Sequence, residues 1–214
     1  GPARRGLLNF LNEQIMDRRQ NPRDDLISKL LSERVGGEPV PHIHLLGTCL
    51  LLVIAGIDTT WSSIGSALWH LAQHPEDRRR LIEEPELMPT AVEEFLRAYS
   101  PVTMARVMTE DYQYDGCPMK EGDRVLMNFP AANRDPEKFP DADRVLIDRA
   151  QNPHIAFGVG IHRCAGSNLA RMEMRISIEE WLKRIPDFAL ADPAAVTWAG
   201  GQVRGPRQMK VVFP

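Results

Sequence analysis

The sequence is poor in cysteine: Cys49, Cys117 and Cys164 are the only three in 214 residues. Odd in number and widely spaced, they form no disulfide framework, and no Cys-x-x-Cys pair offers a zinc site. A reducing cytosol is the simplest compartment for such a chain. Positive charge is not in excess either, since 26 Lys and Arg face 29 Asp and Glu for a net charge of −3. That removes the usual electrostatic basis for binding nucleic acid or an anionic membrane. The most apolar run, "IHLLGTCLLLVIAGI" over 43–57, falls short of the roughly 20 apolar residues of a membrane span. His42 and His44 stand at one end and Asp58 at the other, so a buried helix is expected and no membrane segment. The opening "GPARRGLLNF" has no signal-peptide hydrophobic region and no initiator Met, and a helical pattern starts almost at once. A fragment or a processed chain is expected. No internal repeat or low-complexity tract is visible.

What is present is ordinary for a globular protein: 43% hydrophobic and 26% charged residues, enough chain for one large domain or two small ones. Leu7, Leu8, Leu11, Ile15 and Met16 recur at helical spacing, which predicts a helix over about 6–19. Asn21-Pro22 breaks it; Asp24 or Asp25 opens a short helix that Gly36-Gly37 ends. Pro41 suits the first turn of a helix running to His74-Pro75, long and apolar enough to cross the middle of a core. A shorter helix follows over 76–83. Thr90 and Glu93 then have the spacing of a capping box, and Pro101 terminates that helix. From Val102 to Pro130 short runs alternate with Asp-Gly and Glu-Gly-Asp turns, which are hairpin signals. The Pro-, Asp- and Asn-rich stretch over 131–154 reads as a long ordered loop. An amphipathic helix returns over 165–184 with Leu169, Met172, Ile176 and Leu182 on its apolar side. Two strand candidates, 196–198 and 209–213, close the chain. The expected fold class is mainly α with small antiparallel β-sheets.

Cys164 lies in "FGVGIHRCAG", between glycine turns and at the start of that last helix. Unpaired backbone N–H groups and the positive end of a helix dipole stabilise a thiolate. Gly158, Gly160 and Gly166 let the backbone turn tightly and come close to something bulky and flat. Such a thiolate is a metal ligand or a nucleophile; a buried small hydrophobe is the bland alternative. A nucleophile needs a base, and His162 two residues away seldom aims at it. The glycines do not satisfy G-x-G-x-x-G, so a dinucleotide loop fails.

Phe157-x-x-Gly160-x-His162-x-Cys164-x-Gly166 resembles the heme-binding signature of cytochromes P450, with Ala165 where the family usually has Leu or Ile. Ala55-Gly56-Ile57-Asp58-Thr59-Thr60 inside the long helix is similar to the family's oxygen-activation motif. Its residues are readable without the name: a helical Thr can bond the carbonyl four residues back, Gly56 makes room, and Asp58 with Thr59 can relay a proton. Taken alone, a buried Thr satisfied by its own helix, with the Asp facing a polar neighbour, is the better reading. Glu94-Phe-Leu-Arg97 matches the family's Glu-x-x-Arg element, although by spacing alone it is a routine surface pair. "FPDADRVLID" resembles the segment that supplies a third charge to that pair, which puts Arg144 in the triad; Val145 stands where the family more often has Phe.

The resemblance implies a P450 fold of which 1–214 is the C-terminal part of a single domain, with the N-terminal half of the family fold absent from this sequence. It implies heme b (iron protoporphyrin IX) with Cys164 as its iron ligand and Phe157 packed against it. Arg106 and His162 would meet the propionates, while Ala55, Gly56, Gly158 and Gly166 also belong to the cofactor site. Asp58 and Thr59 would be the catalytic relay. Leu52, Val102, Thr103, Met104, Gln202 and Val203, with Ala55 and Thr59, would face an apolar substrate. The implied reaction is insertion of one oxygen atom from O2, with electrons from NAD(P)H through a ferredoxin or flavoprotein. Arg163, Arg171 and Arg175 are a candidate docking face for it. A peroxide- or hydroperoxide-using heme-thiolate enzyme and a heme-free structural remnant stay open as alternatives. No nucleic acid is expected, and the location is cytoplasmic.

Overall fold

The structure, a computed structural model, describes residues 1–214. The chain divides into two compact units, Gly1–Ile57 and Asp58–Pro214. One helix, α3 (His42–Gln73), runs through both.

The first unit contains α1 (Pro2–Gln20), α2 (Leu26–Ser32), the hairpin β1 (Arg34–Val35)–β2 (Glu38–Pro39), and the N-terminal half of α3. Asp25 caps α2: its carboxylate accepts from the Ser28 N–H at 2.9 Å and from Arg18 Nε at 2.9 Å. Those bonds hold its pKa down at about 2. Gly36 and Gly37, at φ +62° and +86°, do not end α2, which stops at Ser32; they make the turn of β1–β2, a hairpin the sequence reading passed over. Leu11 and Ile15 of α1 pack on Leu45 and Cys49 of α3. Burial there pushes the Cys49 thiol pKa up.

The expectation that α3 lies buried in a core does not hold for its apolar middle. By length and composition α3 could cross a membrane, and 11% of its most apolar stretch is buried. Leu51, Leu52, Ile54, Ile57 and Trp61 are exposed. The reason is geometric: a helix apolar all round needs cover on every side, and the first unit covers only the stripe through Leu45 and Cys49.

The second unit is built on the C-terminal half of α3, α4 (Pro75–Glu83), α5 (Met88–Tyr99) and α7 (Ser167–Arg184). Its core joins Ala67, Leu68 and Leu71 of α3, Leu81 of α4, Val92, Phe95 and Leu96 of α5, and Met174, Ile178 and Leu182 of α7. The capping box is not formed. A 3-10 turn at Pro85–Leu87 leads directly into α5, so Thr90 sits inside the helix and bonds the Leu87 carbonyl at 2.8 Å. The face assigned to α7 is corrected in part: Leu182 is buried as expected, but Leu169, Met172 and Ile176 are exposed, and Ser167, Met174 and Ile178 complete the buried stripe. Both stripes have helical spacing, so periodicity alone could not choose between them.

Five two-stranded antiparallel sheets complete the chain. In the second unit β3 (Met104–Val107) pairs with β6 (Arg124–Met127), enclosing the hairpin β4 (Tyr112–Tyr114)–β5 (Cys117–Met119). After the short α6 (Phe129–Ala132) and the long loop come the 3-10 turn Gly160–His162, α7 and the closing strands. There β8 (Thr197–Ala199) pairs with β9 (Gly205–Gln208), a strand the sequence reading missed, and β10 (Val211–Val212) pairs with β7 (Ala189–Leu190).

Candidate functional site

Cys164 lies just before α7, in the loop that follows the Gly160–His162 turn, and its side chain is exposed. Its N–H donates to the Phe157 carbonyl at 2.8 Å, closing the loop into a tight ring. Gly158 and Gly160 hold φ at +68° and +67°, a region costly for other residues. A Cβ on Gly158 would meet the His162 carbonyl oxygen at 3.6 Å and the Phe129 ring at 3.8 Å. A Cβ on Gly166 would come within 3.9 Å of Cys164 Sγ. Val159 and Ile161 of the same loop expose apolar side chains. Nowhere do three or more His, Cys, Asp or Glu side chains converge as a metal site. A metal held by Cys164 must therefore bring its other donors with it, and an iron porphyrin with four ring nitrogens does so. A lone accessible thiol on a glycine-turned apolar loop at a helix N-terminus fits that group.

Behind the loop, Glu94 and Arg97 are fully buried, not a surface pair. Arg97 gives Nε and Nη2 to the two Glu94 oxygens, each at 2.8 Å, and its remaining donors to the carbonyls of Asn133, Ala142 and Arg144. All five guanidinium N–H donors are thus used. The third charge is Arg149, whose Nε reaches Glu94 Oε2 at 3.0 Å. The assignment of Arg144 to this triad is corrected: its side chain is exposed, and it contributes only a backbone carbonyl. Glu94 also accepts from Leu146 N–H at 2.8 Å and Asn152 Nδ2 at 3.1 Å. The cluster ties α5 to the loop over 140–152. Asn133 extends it, accepting from Ile155 N–H and donating to Ser100 Oγ.

A second brace was not foreseen. Glu93 takes Arg171 in a two-pronged pair at 2.6 and 2.9 Å and accepts from His154 Nε2 at 2.9 Å. His154 Nδ1 accepts the Ala156 N–H, which fixes the ring as the Nε2–H tautomer. The Arg171 guanidinium lies 4.5 Å over the Phe157 ring, directly upstream of Cys164. Burial works to raise the Glu93 pKa, but the bonds from His154 and Arg171 outweigh it and hold the carboxyl at about 2. The Arg171 pKa is raised by the same pair. Arg171 is therefore turned inward to Glu93 and does not belong to an outward docking face with Arg163 and Arg175.

Along α3, Leu52, Ala55 and Gly56 are exposed residues of the first unit, whereas Asp58 and Thr59 open the second and are half-buried. Ser63 Oγ bonds the Thr59 carbonyl at 2.9 Å and Ser66 Oγ bonds the Ser62 carbonyl at 2.7 Å. Asp58 is paired with Arg207 of β9, a partner the sequence reading did not name.

The structure brings four of the expected substrate-facing residues together. Val102 bridges Val203, Thr103 N–H donates to the Gln202 carbonyl at 3.0 Å, and Thr103 Oγ1 donates to Gly201 at 2.9 Å. Met104 follows as the first residue of β3. Arg106, also on β3, donates to the Ala105 carbonyl at 2.9 Å, and His162 is exposed at the end of the 3-10 turn. The partners Arg149, His154 and Arg207 carry no local signal, since each pairs with a residue far away in the chain, and the local signal at Glu93, its spacing from Thr90, pointed to a helix cap instead.

The family model described as Cytochrome P450 matches residues 4–185. "Polyketide biosynthesis cytochrome P450 PksS" of Bacillus subtilis (strain 168) is 41% identical over 199 residues, 92% of this chain and 49% of the relative. Its solved structure superposes with a TM-score of 0.92, covering 98% of this chain and 55% of that one. A "Steroid C26-monooxygenase" of Mycolicibacterium smegmatis is 38% identical over 206 residues, covering 95% of this chain and 51% of the relative. The chain thus spans about half the length of the curated relatives it matches.

Proposed function

The chain belongs to the cytochrome P450 family, and on that premise we propose that residues 1–214 are the C-terminal part of a single heme-thiolate monooxygenase domain. The proposed reaction inserts one oxygen atom of O2 into an apolar small molecule, with electrons from NAD(P)H delivered by a ferredoxin or flavoprotein. The cytoplasm is the proposed location. Heme b, when bound, supplies the iron at which O2 is activated, and a thiolate ligand favours O–O cleavage.

The observation that carries this reading is Cys164: an accessible thiol on a glycine-turned loop, with no other metal-ligating cluster in the chain. In the proposal Cys164 holds the iron as a thiolate, favoured by the N-terminus of α7. Phe157, Gly158, Gly160 and Gly166 shape the loop around it. Arg106 and His162 bind the propionates by charge-assisted hydrogen bonds. Glu94, Arg97 and Arg149 hold the loop from behind; a fully bonded buried cluster suits that role even where its net stabilisation is small.

Asp58 and Thr59 move protons: the Thr59 hydroxyl gives a proton on the active-site side, and Asp58, half-open to water, restores it. Ala55 and Gly56 leave room on the helix for a small ligand. Leu52, Val102, Thr103, Met104, Gln202 and Val203 contact the substrate. Their composition and the steroid-oxidising relative support an apolar substrate.

The test is the reduced, CO-bound absorption spectrum of the heme-loaded protein. The unsubstituted chain is expected to give the red-shifted band of a thiolate ligand, and Cys164→Ser to lose it. Retention of that band by Cys164→Ser overturns the assignment. Thr59→Ala is expected to divert electrons from product to hydrogen peroxide; unchanged coupling removes Thr59 from the relay.

A further inference from the structure

Strand β9 lies against the C-terminal half of α3 at unusually close range. A Cβ on Gly205 would stand 2.5 Å from Ser62 Cβ and 2.8 Å from Ser62 Cα, and a Cβ on Gly65 would meet Pro206 Cγ at 3.0 Å. Only glycine at 205 allows the strand to seat there. Two residues on, Arg207 reaches Asp58 with both terminal nitrogens, Nη1 to Oδ1 at 2.5 Å and Nη2 to Oδ2 at 3.2 Å. Its Nη1 also lies 3.4 Å from Ser62 Oγ.

A two-pronged guanidinium–carboxylate pair fixes the plane of the carboxylate as well as its distance. Asp58 needs such a partner to have one orientation: it projects from a helix, is partly exposed, and would otherwise sample several rotamers. A partly exposed pair contributes little to stability. The seating of β9 is already secured by the Gly205–Ser62 and Pro206–Gly65 contacts and by pairing with β8. What the pair adds is therefore the orientation of Asp58.

We propose that Arg207 is a positioning residue for Asp58, aiming its carboxylate so that proton return to Thr59 occurs from one fixed direction. This rests on the relay reading of Asp58 and Thr59. The same hairpin also reports on the substrate side. Its turn carries Gln202 and Val203, which are tied to Val102 and Thr103, and Arg204 N–H donates to the Pro101 carbonyl at 2.6 Å.

The experiment uses the heme-loaded protein with its redox partners and measures hydrogen peroxide formed per NAD(P)H consumed. Asp58→Asn, Arg207→Gln, Arg207→Lys and the Asp58→Asn/Arg207→Gln double variant are compared. Arg207→Gln is expected to raise the peroxide fraction by about threefold or more and to add nothing in the Asp58→Asn background, as residues acting as one unit do. Arg207→Lys, which keeps the charge, is expected to recover part of the coupling. Amide hydrogen exchange supplies a readout independent of turnover: β9 is expected to stay protected in Arg207→Gln.

Loss of β9 protection in Arg207→Gln would make Arg207 a clamp and overturn the inference. So would an unchanged peroxide fraction, or an increase that persists undiminished in the Asp58→Asn background. If Asp58→Asn itself leaves the fraction unchanged, the relay reading falls and the inference with it. If Asp58→Asn raises it and Arg207→Gln does not, the inference alone falls.

Discussion

Gly205 faces Ser62 at a separation where no side chain fits: a Cβ there would lie 2.8 Å from the Ser62 Cα, a backbone atom that cannot rotate away. That contact seats β9 on α3 and brings Arg207 to Asp58. Gly205→Ala is therefore expected to cost about 2–3 kcal/mol by overpacking. Gly65→Ala, which meets only the Pro206 ring at 3.0 Å, is expected to fall within about 1 kcal/mol of the parent, since the gain in helix propensity offsets the contact. Denaturant midpoints of the two variants check this.

The buried triad predicts a sharp contrast between two arginines. Arg149→Gln leaves Glu94 with less compensation in a dry site and is expected to destabilise by about 3 kcal/mol or more. Arg144→Gln removes an exposed side chain and is expected to stay within about 0.5 kcal/mol. A larger loss for Arg144→Gln than for Arg149→Gln would mean that Arg144, not Arg149, completes the triad.

The brace at Glu93 has a pH signature. Its folded pKa of about 2 lies below the ordinary 4.5, so its stabilisation is present above about pH 4.5 and is lost as pH falls toward 2. Glu93→Gln is expected to be about 2 kcal/mol less stable than the parent at neutral pH. The difference should close between pH 4.5 and 2, and unfolding curves across that window read it directly.

On α7 the two stripes are separable by truncation. Ile178 is fully buried against Met174 and Leu182, so Ile178→Ala is expected to cost about 3 kcal/mol. Ile176 is exposed, and Ile176→Ala is expected to cost less than about 1 kcal/mol in this chain. Thermal unfolding of the pair distinguishes the faces.

The helices were legible in the amino-acid order because their signals are local. Helical spacing, Pro41, Pro75, the Asp25 cap and the glycines around Cys164 act within a few residues, and α1, α2, α3, α4 and α7 follow them closely. Also legible was the resemblance of the Cys164 loop, the Asp58-Thr59 pair and Glu94-x-x-Arg97 to P450 motifs, since each is contiguous. Which face of α7 is buried, which arginine joins Glu94, that Glu93 holds Arg171 rather than capping its helix, and that β9 delivers Arg207 to Asp58 were all settled by tertiary structure. The pairings join residues far apart in the chain, from 55 between Glu94 and Arg149 to 149 between Asp58 and Arg207. Over such separations charged residues of the same type are interchangeable in a sequence. They become distinct only when packing removes one from water and leaves the other outside.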